Sequence, residues 1–441
     1  MDATLAQAKA LKQNLTDFIL DAEDELAVAL EQYSATQLSR SQQPDMHRRT
    51  FVVDRFLMEG QVGSATPIDL FTEQFEAELS ETDRLLLQNW RRSFLGLFSV
   101  QQVLEDGLEL VNSTTAKLYR VRLTAEEQQA VAKFKEGDIL LVQIAPMLED
   151  WMFASQWISL GRLGKPKLAV AIGNFKQNYK EHLYSDAPEL LAEAWHSVEK
   201  HYQNFTDFFG SDEVTLPGYQ LGKKLSDFQT AMLEKQFEEA GIDQSKSFEE
   251  LVTEAGVSQA EMEEAAEALG TDAKLLNQVI DTKQAPKMMM PAIELPPHLK
   301  KAEQVTILTH PRWGQAFLPH YMQFTTLLTS AATEPDPAAA SLVKKYLEDP
   351  EIPAFVWHRL AQQYPSQLEA LLQTVLEKPE FQLTTDLDPL LQASGKNLQT
   401  ELPEIASVPL HLHNLFQEAV LEVSKDKSKK KKPKPGHGFK P

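Results

Sequence analysis

The chain has no cysteine. Disulfides, thiolate zinc sites, iron–sulfur clusters and cysteine nucleophiles are therefore excluded, and stability has to come from packing. Long apolar runs are missing as well. No segment approaches the ~18 apolar residues of a membrane span, and the N-terminus carries Asp2 where a secretory signal needs positive charge. Asp2 also stands where N-myristoylation requires glycine, and without cysteine there is no prenyl or palmitoyl anchor. These absences predict a cytoplasmic protein without a transmembrane segment, at most peripheral to a membrane. No glycine-rich nucleotide loop, metal-ligand cage or nucleophile–base constellation is present, so no cofactor is expected and a non-enzymatic role is preferred over an enzyme.

Positive charge is the next scarcity. Lys and Arg number 43 against 64 Asp and Glu, a formal net charge of −21. What cation there is gathers at one end, because residues 424–441 hold eight lysines and one aspartate. A body this acidic repels nucleic acid and anionic membrane at long range. Such ligands have to be met locally, by Lys425, Lys427, Lys429, Lys430, Lys431, Lys432 and Lys434. The prolines and glycines among these lysines predict a disordered tail. RNA or an anionic membrane surface becomes a reachable partner through it, and the same charge would steer the encounter with a protein partner.

Helical patterning is what the sequence has in quantity, with 42% hydrophobic content over 441 residues, enough for several domains. Apolar residues at Leu5, Ala8, Leu11, Leu15, Phe18, Ala22, Leu26, Ala29 and Tyr33 fall three or four apart. They predict one amphipathic helix roughly 45 Å long. Its stripe has to be covered by a partner helix, the favoured arrangement, or by a second copy of the chain, the route to a homo-oligomer. Ser80 with Asp83 has capping-box spacing ahead of a further helix.

Near residue 94 the period changes to two. Tyr119, Val121 and Leu123 alternate with Leu118, Arg120 and Arg122, and Asp106-Gly107 and Glu136-Gly137-Asp138 mark turns. The expected fold class is α+β, mostly α-helical: a helical scaffold with one small antiparallel β-barrel of SH3 or OB type near residues 94–160. The expected segments are a helical domain over 1–90, the barrel over 91–167, a helical domain with an acidic three-helix segment over 168–282, a Pro/Met-rich linker over 283–304, a helical stack over 305–423 and the lysine-rich tail over 424–441.

Candidate functional residues fall into two groups besides the tail. Residues 90–167 hold ten Lys and Arg against nine Asp and Glu, and three of the six tryptophans. Trp90, Arg91, Arg92, Tyr119, Arg120, Arg122, Trp151 and Trp157 form the expected binding surface, suited to stacking bases or holding an extended peptide. The alternative for these residues is rings in the core and arginines on a solvated face. Near neutrality weakens the phosphate-driven option and favours protein recognition. The second group is the loop His310, Arg312 and Trp313 with His320, where Arg312 can fork onto a carboxylate and the histidines can carry protons; its plainer reading is a turn shaped by Pro311 and Gly314.

A helix-turn-helix-like stretch over 249–280 carries an acidic second helix, so no DNA partner is expected. Glu193 and His196 have the Glu-x-x-His spacing of di-iron bundles, but no second copy exists, and no metal site is expected. The leading functional expectation is a protein-interaction scaffold, an assembly or regulatory factor. The alternatives are an RNA-associated factor using barrel and tail, and an enzyme with its site near His310, Arg312 and His320.

Overall fold

The computed structural model describes residues 3–39, 46–239, 295–329 and 337–430. The acidic segment expected within 240–282, the linker up to residue 294, and Lys431, Lys432 and Lys434 lie outside the described residues. The chain divides into two units, residues 1–194 with 408–441 and residues 195–407. The fold is α+β, mostly helical, with a closed five-stranded barrel and a separate small sheet. Among the described residues no helix is long and apolar enough to cross a membrane.

The first unit opens with α1 (Ala3–Leu20) and α2 (Glu25–Ser39). The single long helix expected from the apolar stripe is thus two. The stripe stays in phase through Phe18, Ala22 and Leu26, but Asp21, Glu23 and Asp24 crowd the negative end of α1, where carboxylates oppose the helix dipole. Asp24 instead accepts a hydrogen bond from the Leu26 amide at 2.9 Å and starts α2. Next come α3 (Met46–Glu59), α4 (Pro67–Gln74) and α5 (Glu81–Trp90). The Ser80 hydroxyl accepts from the Asp83 amide at 3.1 Å and the Asp83 carboxylate accepts from the Ser80 amide at 3.0 Å, a reciprocal cap that fixes where α5 begins.

The barrel runs β1 (Phe94–Val103), β2 (Gly107–Asn112), β3 (Leu118–Arg122), α6 (Ala125–Val131), β4 (Asp138–Met147) and β5 (Asp150–Phe153), followed by β6 (Ile158–Arg162). The first half of β1 pairs with β4 and its second half with β2, around an irregularity between Val100 and Gln102. β3 and β5 pair in parallel, Val121 with Trp151, and close the ring in the order 1-2-3-5-4-1. With a helix between the third and fourth strands, this is the connectivity of an OB barrel rather than an SH3 barrel. Phe98, Leu108, Leu110, Tyr119, Val121, Val142 and Ile144 fill the interior, and Val131 and Phe134 plug it from the α6 end.

Helices cover most of the barrel's outside. Trp90, Leu86, Leu57 and Leu15 pack with Ala145, Met147 and Met152 of β4 and β5. Phe51 of α3, Ile172 and Phe175 of α7 (Lys165–Asn178) and Leu412 of the last helix pack on Leu95, Leu97 and Ile139. Among the described residues, none covers the outer face of β2 and β3, where Leu118 and Arg120 are exposed. Gly107 brings these two strands together at their loop end, since a Cβ there would lie 2.2 Å from the Val121 carbonyl oxygen. Gly107→Ala should therefore cost about 1–3 kcal/mol in chemical denaturation through overpacking, and a loss below about 0.5 kcal/mol would show that the approach is looser than this.

Helix α8 (Pro188–Phe209) contributes Trp195 onward to the second unit, which continues with β7 (Glu213–Leu216), α9 (Gly218–Glu239), α10 (Pro297–Lys300), β8 (Val305–His310) and β9 (Gly314–Leu318). Then follow α11 (Tyr321–Thr329), α12 (Pro337–Glu348), α13 (Ala354–Gln363), α14 (Pro365–Val375) and α15 (Leu383–Ala393). The antiparallel sheet β7-β8-β9 sits between two cores, Val305 and Ile307 facing Phe205 and Phe228, and Leu308 facing Tyr321 and Trp357.

Three segment expectations are corrected here. The 305–423 segment opens with a hairpin rather than a helix, because β8 is buried on both sides and shows no alternation to read. Within the expected linker, Pro296 and Pro297 start α10, proline being favoured at a first helical turn, and Leu295 and Leu299 are core. The last helix, α16 (Leu410–Lys430), belongs to the first unit and carries Lys425, Lys427, Lys429 and Lys430, which the composition assigned to a disordered tail. Lysine is a good helix former and suits a helix C-terminus.

Candidate functional site on the barrel

On β3 the side chains alternate as the sequence pattern requires, Tyr119 and Val121 inward, Leu118, Arg120 and Arg122 outward. The β2–β3 register sets Glu109 opposite Arg120 and Val111 opposite Leu118. The open face therefore has an apolar row, Val111 and the 58% exposed Leu118, beside a charged row. Asp106, in the turn between β1 and β2, meets Arg120 at 3.2 Å and Arg122 at 2.6 Å. Asp150, after the short β4–β5 turn, lies 3.7 Å from Arg122. Exposed Glu105 and Glu149 stand in the same two turns. Both guanidinium groups of the face are thus engaged by carboxylates from the loops that bracket it.

The rings are not on this face. Trp90 is 0% exposed and lies in the helical core; Tyr119 is 3% exposed and points into the barrel. These two expectations are corrected: Tyr119 alternates with arginines along a strand and gains most by turning inward, while Trp90 ends α5 on the buried helix face it shares with Leu86 and Leu87. Trp151 is partly buried edge-on to Tyr119 at 5.1 Å and Phe94 at 5.6 Å. Trp157, also partly buried, packs on Phe153 at 5.2 Å and Phe134 at 6.0 Å. The Tyr119 hydroxyl donates to Asp186 at 3.2 Å; burial, with the Asp186 charge beside it, pushes the phenol well above its usual value. Asp186 also holds Arg92 at 3.1 Å, while Arg91 pairs with Asp69. Of the eight residues expected to share one surface, only Arg120 and Arg122 lie together on the open strands.

In the second unit, His310, Arg312, Trp313 and His320 do not converge. His310 Nδ1 accepts from the amides of Arg312 at 3.1 Å and Trp313 at 3.3 Å, which shapes the β8–β9 turn, and its ring lies 5.3 Å from Phe355. Burial lowers the His310 pKa, with Asp212 opposing and Arg359 adding to the shift. Arg312 stacks over Trp195 at 4.8 Å, Trp313 packs against Phe355, and His320 pairs with Gln323 at 3.2 Å.

Two ionic groups were not readable in the sequence. Arg359 forks onto Asp212 at 2.7 and 3.1 Å and reaches Glu213 at 3.1 Å, tying α13 to β7. In the first unit, Glu59 of α3 accepts from Arg55 and Tyr33 and pairs with His182 at 3.0 Å. Arg55 and Glu59 stand four apart on one helix, but the partners 147 or 123 residues away that complete each group leave no local spacing signal. Among the described residues, no group of three or more His, Cys, Asp or Glu is placed to hold a metal ion.

Comparison of the chain with protein-family models, with curated proteins and with solved structures gave no match.

Proposed function

We propose that the chain is a non-enzymatic protein-interaction factor that receives an extended polypeptide segment on the outer face of β2 and β3. One observation carries this reading: the barrel side that the described helices leave open offers an apolar row, exposed Leu118 beside half-buried Val111, next to arginines already paired with Asp106 and Asp150. Strands 2 and 3 with their flanking loops are where OB barrels take ligands, although strand order alone does not choose the ligand. Leu118 and Val111 favour side chains over phosphates, and a phosphate would have to displace the loop carboxylates before gaining the counterion release that drives nucleic-acid affinity. The RNA reading is weaker for that reason. The enzyme reading is weaker because His310, Arg312 and His320 each serve separate neighbours.

The test is selection of displayed extended peptides on the full-length protein, followed by affinity measurement at two salt concentrations. Leu118→Asp should weaken a selected peptide about tenfold or more, from lost apolar burial, with only a few-fold change between 50 and 200 mM salt. A single-stranded RNA oligonucleotide that binds instead, losing roughly a thousandfold over that range and depending on Arg120 and Arg122 together with the lysines of 424–441, would overturn the reading.

A further inference from the structure

We infer that the first unit carries a second surface, a cationic end that docks on an anionic lipid bilayer; it lies where β6 leads into α7 and does not depend on the peptide reading of β2 and β3. Pairing is the first argument. Elsewhere in this unit cations face carboxylates: Lys9 meets Glu127 at 2.6 Å, Lys12 meets Asp54 at 2.6 Å, Lys117 meets Glu189 at 2.8 Å and Arg92 meets Asp186 at 3.1 Å. Lys133, Lys135, Arg162 and Lys167 have no such partner among the described residues, and all four are exposed.

Register and turn geometry bring these cations together. Arg162, the last residue of β6, pairs with Asp138 across the sheet, and a Cβ on Gly137 would lie 3.4 Å from its Nε, so the guanidinium rests on the turn that Lys135 begins. Lys133 stands just before that turn. Only Leu163 and Gly164 separate Arg162 from α7, whose first turn carries Lys165 and Lys167. Helix α16 runs antiparallel to α7, since Leu412 shares a core with Ile172 and Phe175 while Glu418 reaches Lys165 at 3.1 Å. The last turns of α16, with Lys425, Lys427, Lys429 and Lys430, therefore run past the start of α7. Against these cations stand Glu136, Asp138, Glu418, Glu422 and Asp426, of which Glu418 is held by Lys165 and Asp138 by the Lys135 amide at 2.9 Å. Positive charge is in excess here.

The side chains beside the cations choose the partner. Leu160, two residues before Arg162, is 41% exposed, and Val170, three residues after Lys167 on the same helix face, is 63% exposed. The neighbouring ring, Trp157, packs on Phe153 and Phe134 and is not free to stack a base. Lysine heads with aliphatic side chains next to them suit the boundary between lipid headgroups and acyl chains. Each cation close to an anionic leaflet contributes about fivefold in affinity. That attraction acts within about a Debye length, so the acidity of the rest of the chain does not cancel it.

Because the chain has no cysteine, Val170→Cys takes a single environment-sensitive dye in the full-length protein. Vesicles of phosphatidylcholine with about one third phosphatidylglycerol should brighten and blue-shift this dye, whereas phosphatidylcholine alone should not. The same dye at Leu118→Cys, on the β2–β3 face, should not respond. Arg162→Glu with Lys167→Glu should weaken co-sedimentation with the anionic vesicles about tenfold or more, as should raising salt from ~100 to ~500 mM. Lys133→Glu with Lys135→Glu, on a separate turn, carries the same expectation should the first pair unfold the protein. No response at Val170 to the anionic vesicles, or an equal response at Leu118, would overturn the inference. Binding that survives both pairs of reversals but is lost on reversing Lys431, Lys432 and Lys434 would also overturn it, by assigning the lipid to the tail alone. A single-stranded RNA or polyglutamate that binds through Arg162 and Lys167 where vesicles do not would overturn it as well, by making the partner another polyanion.

Discussion

Trp90→Ala should destabilise the first unit by about 3–5 kcal/mol, the cost of emptying the site of a fully buried large ring. Trp90 ends α5 and is 0% exposed among Leu86, Leu87, Ala145, Met147 and Met152, so it packs helices and barrel wall into one core. Its indole nitrogen has no hydrogen-bond partner among the described residues, so the loss is one of packing and not of a polar contact. Because the core is shared, helical and barrel signals should move together in thermal or chemical unfolding. Trp90→Phe keeps most of the ring volume and should recover more than half of the loss. A change below about 1 kcal/mol in the alanine variant would mean that the helices do not hold the barrel through this ring. Peptide affinity per folded molecule should be unaltered, which separates Trp90 from Leu118, the exposed residue whose replacement should change binding with little effect on folding.

How much of this was legible depends on whether a signal was local. The period-two rhythm of Leu118–Arg122 announced β3, and taken strictly it placed Tyr119 and Arg120 on opposite faces. The expectation of a mixed aromatic and cationic surface ran against that alternation, and the alternation prevailed. Helices with one buried stripe, such as α14 with Leu368 and Leu372, were readable; β8 was not, since Val305 through Thr309 are buried on both sides and give no period. The break between α1 and α2 was hidden because the apolar stripe crosses it in phase.

The pairing of Arg120 and Arg122 with Asp106 needed the β2–β3 register. Only when Gly107 stands opposite Arg122 does the turn carboxylate fall between the two guanidinium groups. A sequence count could give the near neutrality of the island but not its arrangement. That arrangement decides the function proposed: the same residues with the arginines unpaired would present a phosphate-binding strip.

Arg55→Ala and Glu59→Gln should each cost several kcal/mol, about 3–5 for the arginine, because removing one partner strands the other in a buried site. The Arg55 side chain is 3% exposed and stacks over Tyr179 at 5.0 Å; Glu59 holds it together with Tyr33 and His182, which joins α2, α3 and the segment before α8. Burial alone would raise the Glu59 pKa, but the hydrogen bond from His182 and the Arg55 charge outweigh it and hold the carboxyl below its usual value. The folded state therefore resists a proton that the unfolded chain accepts near pH ~4.3. The contribution is present in full above that pH and is lost as pH falls through the lower folded value. In Glu59→Gln the carboxylate is gone, so the stability gap between the native chain and the variant should be widest near pH 7 and shrink below about pH 4.5. Denaturation of both proteins at pH 7, 5 and 3 measures it, and a gap that stays constant across the series would show that the Glu59 charge takes no part in holding these elements together.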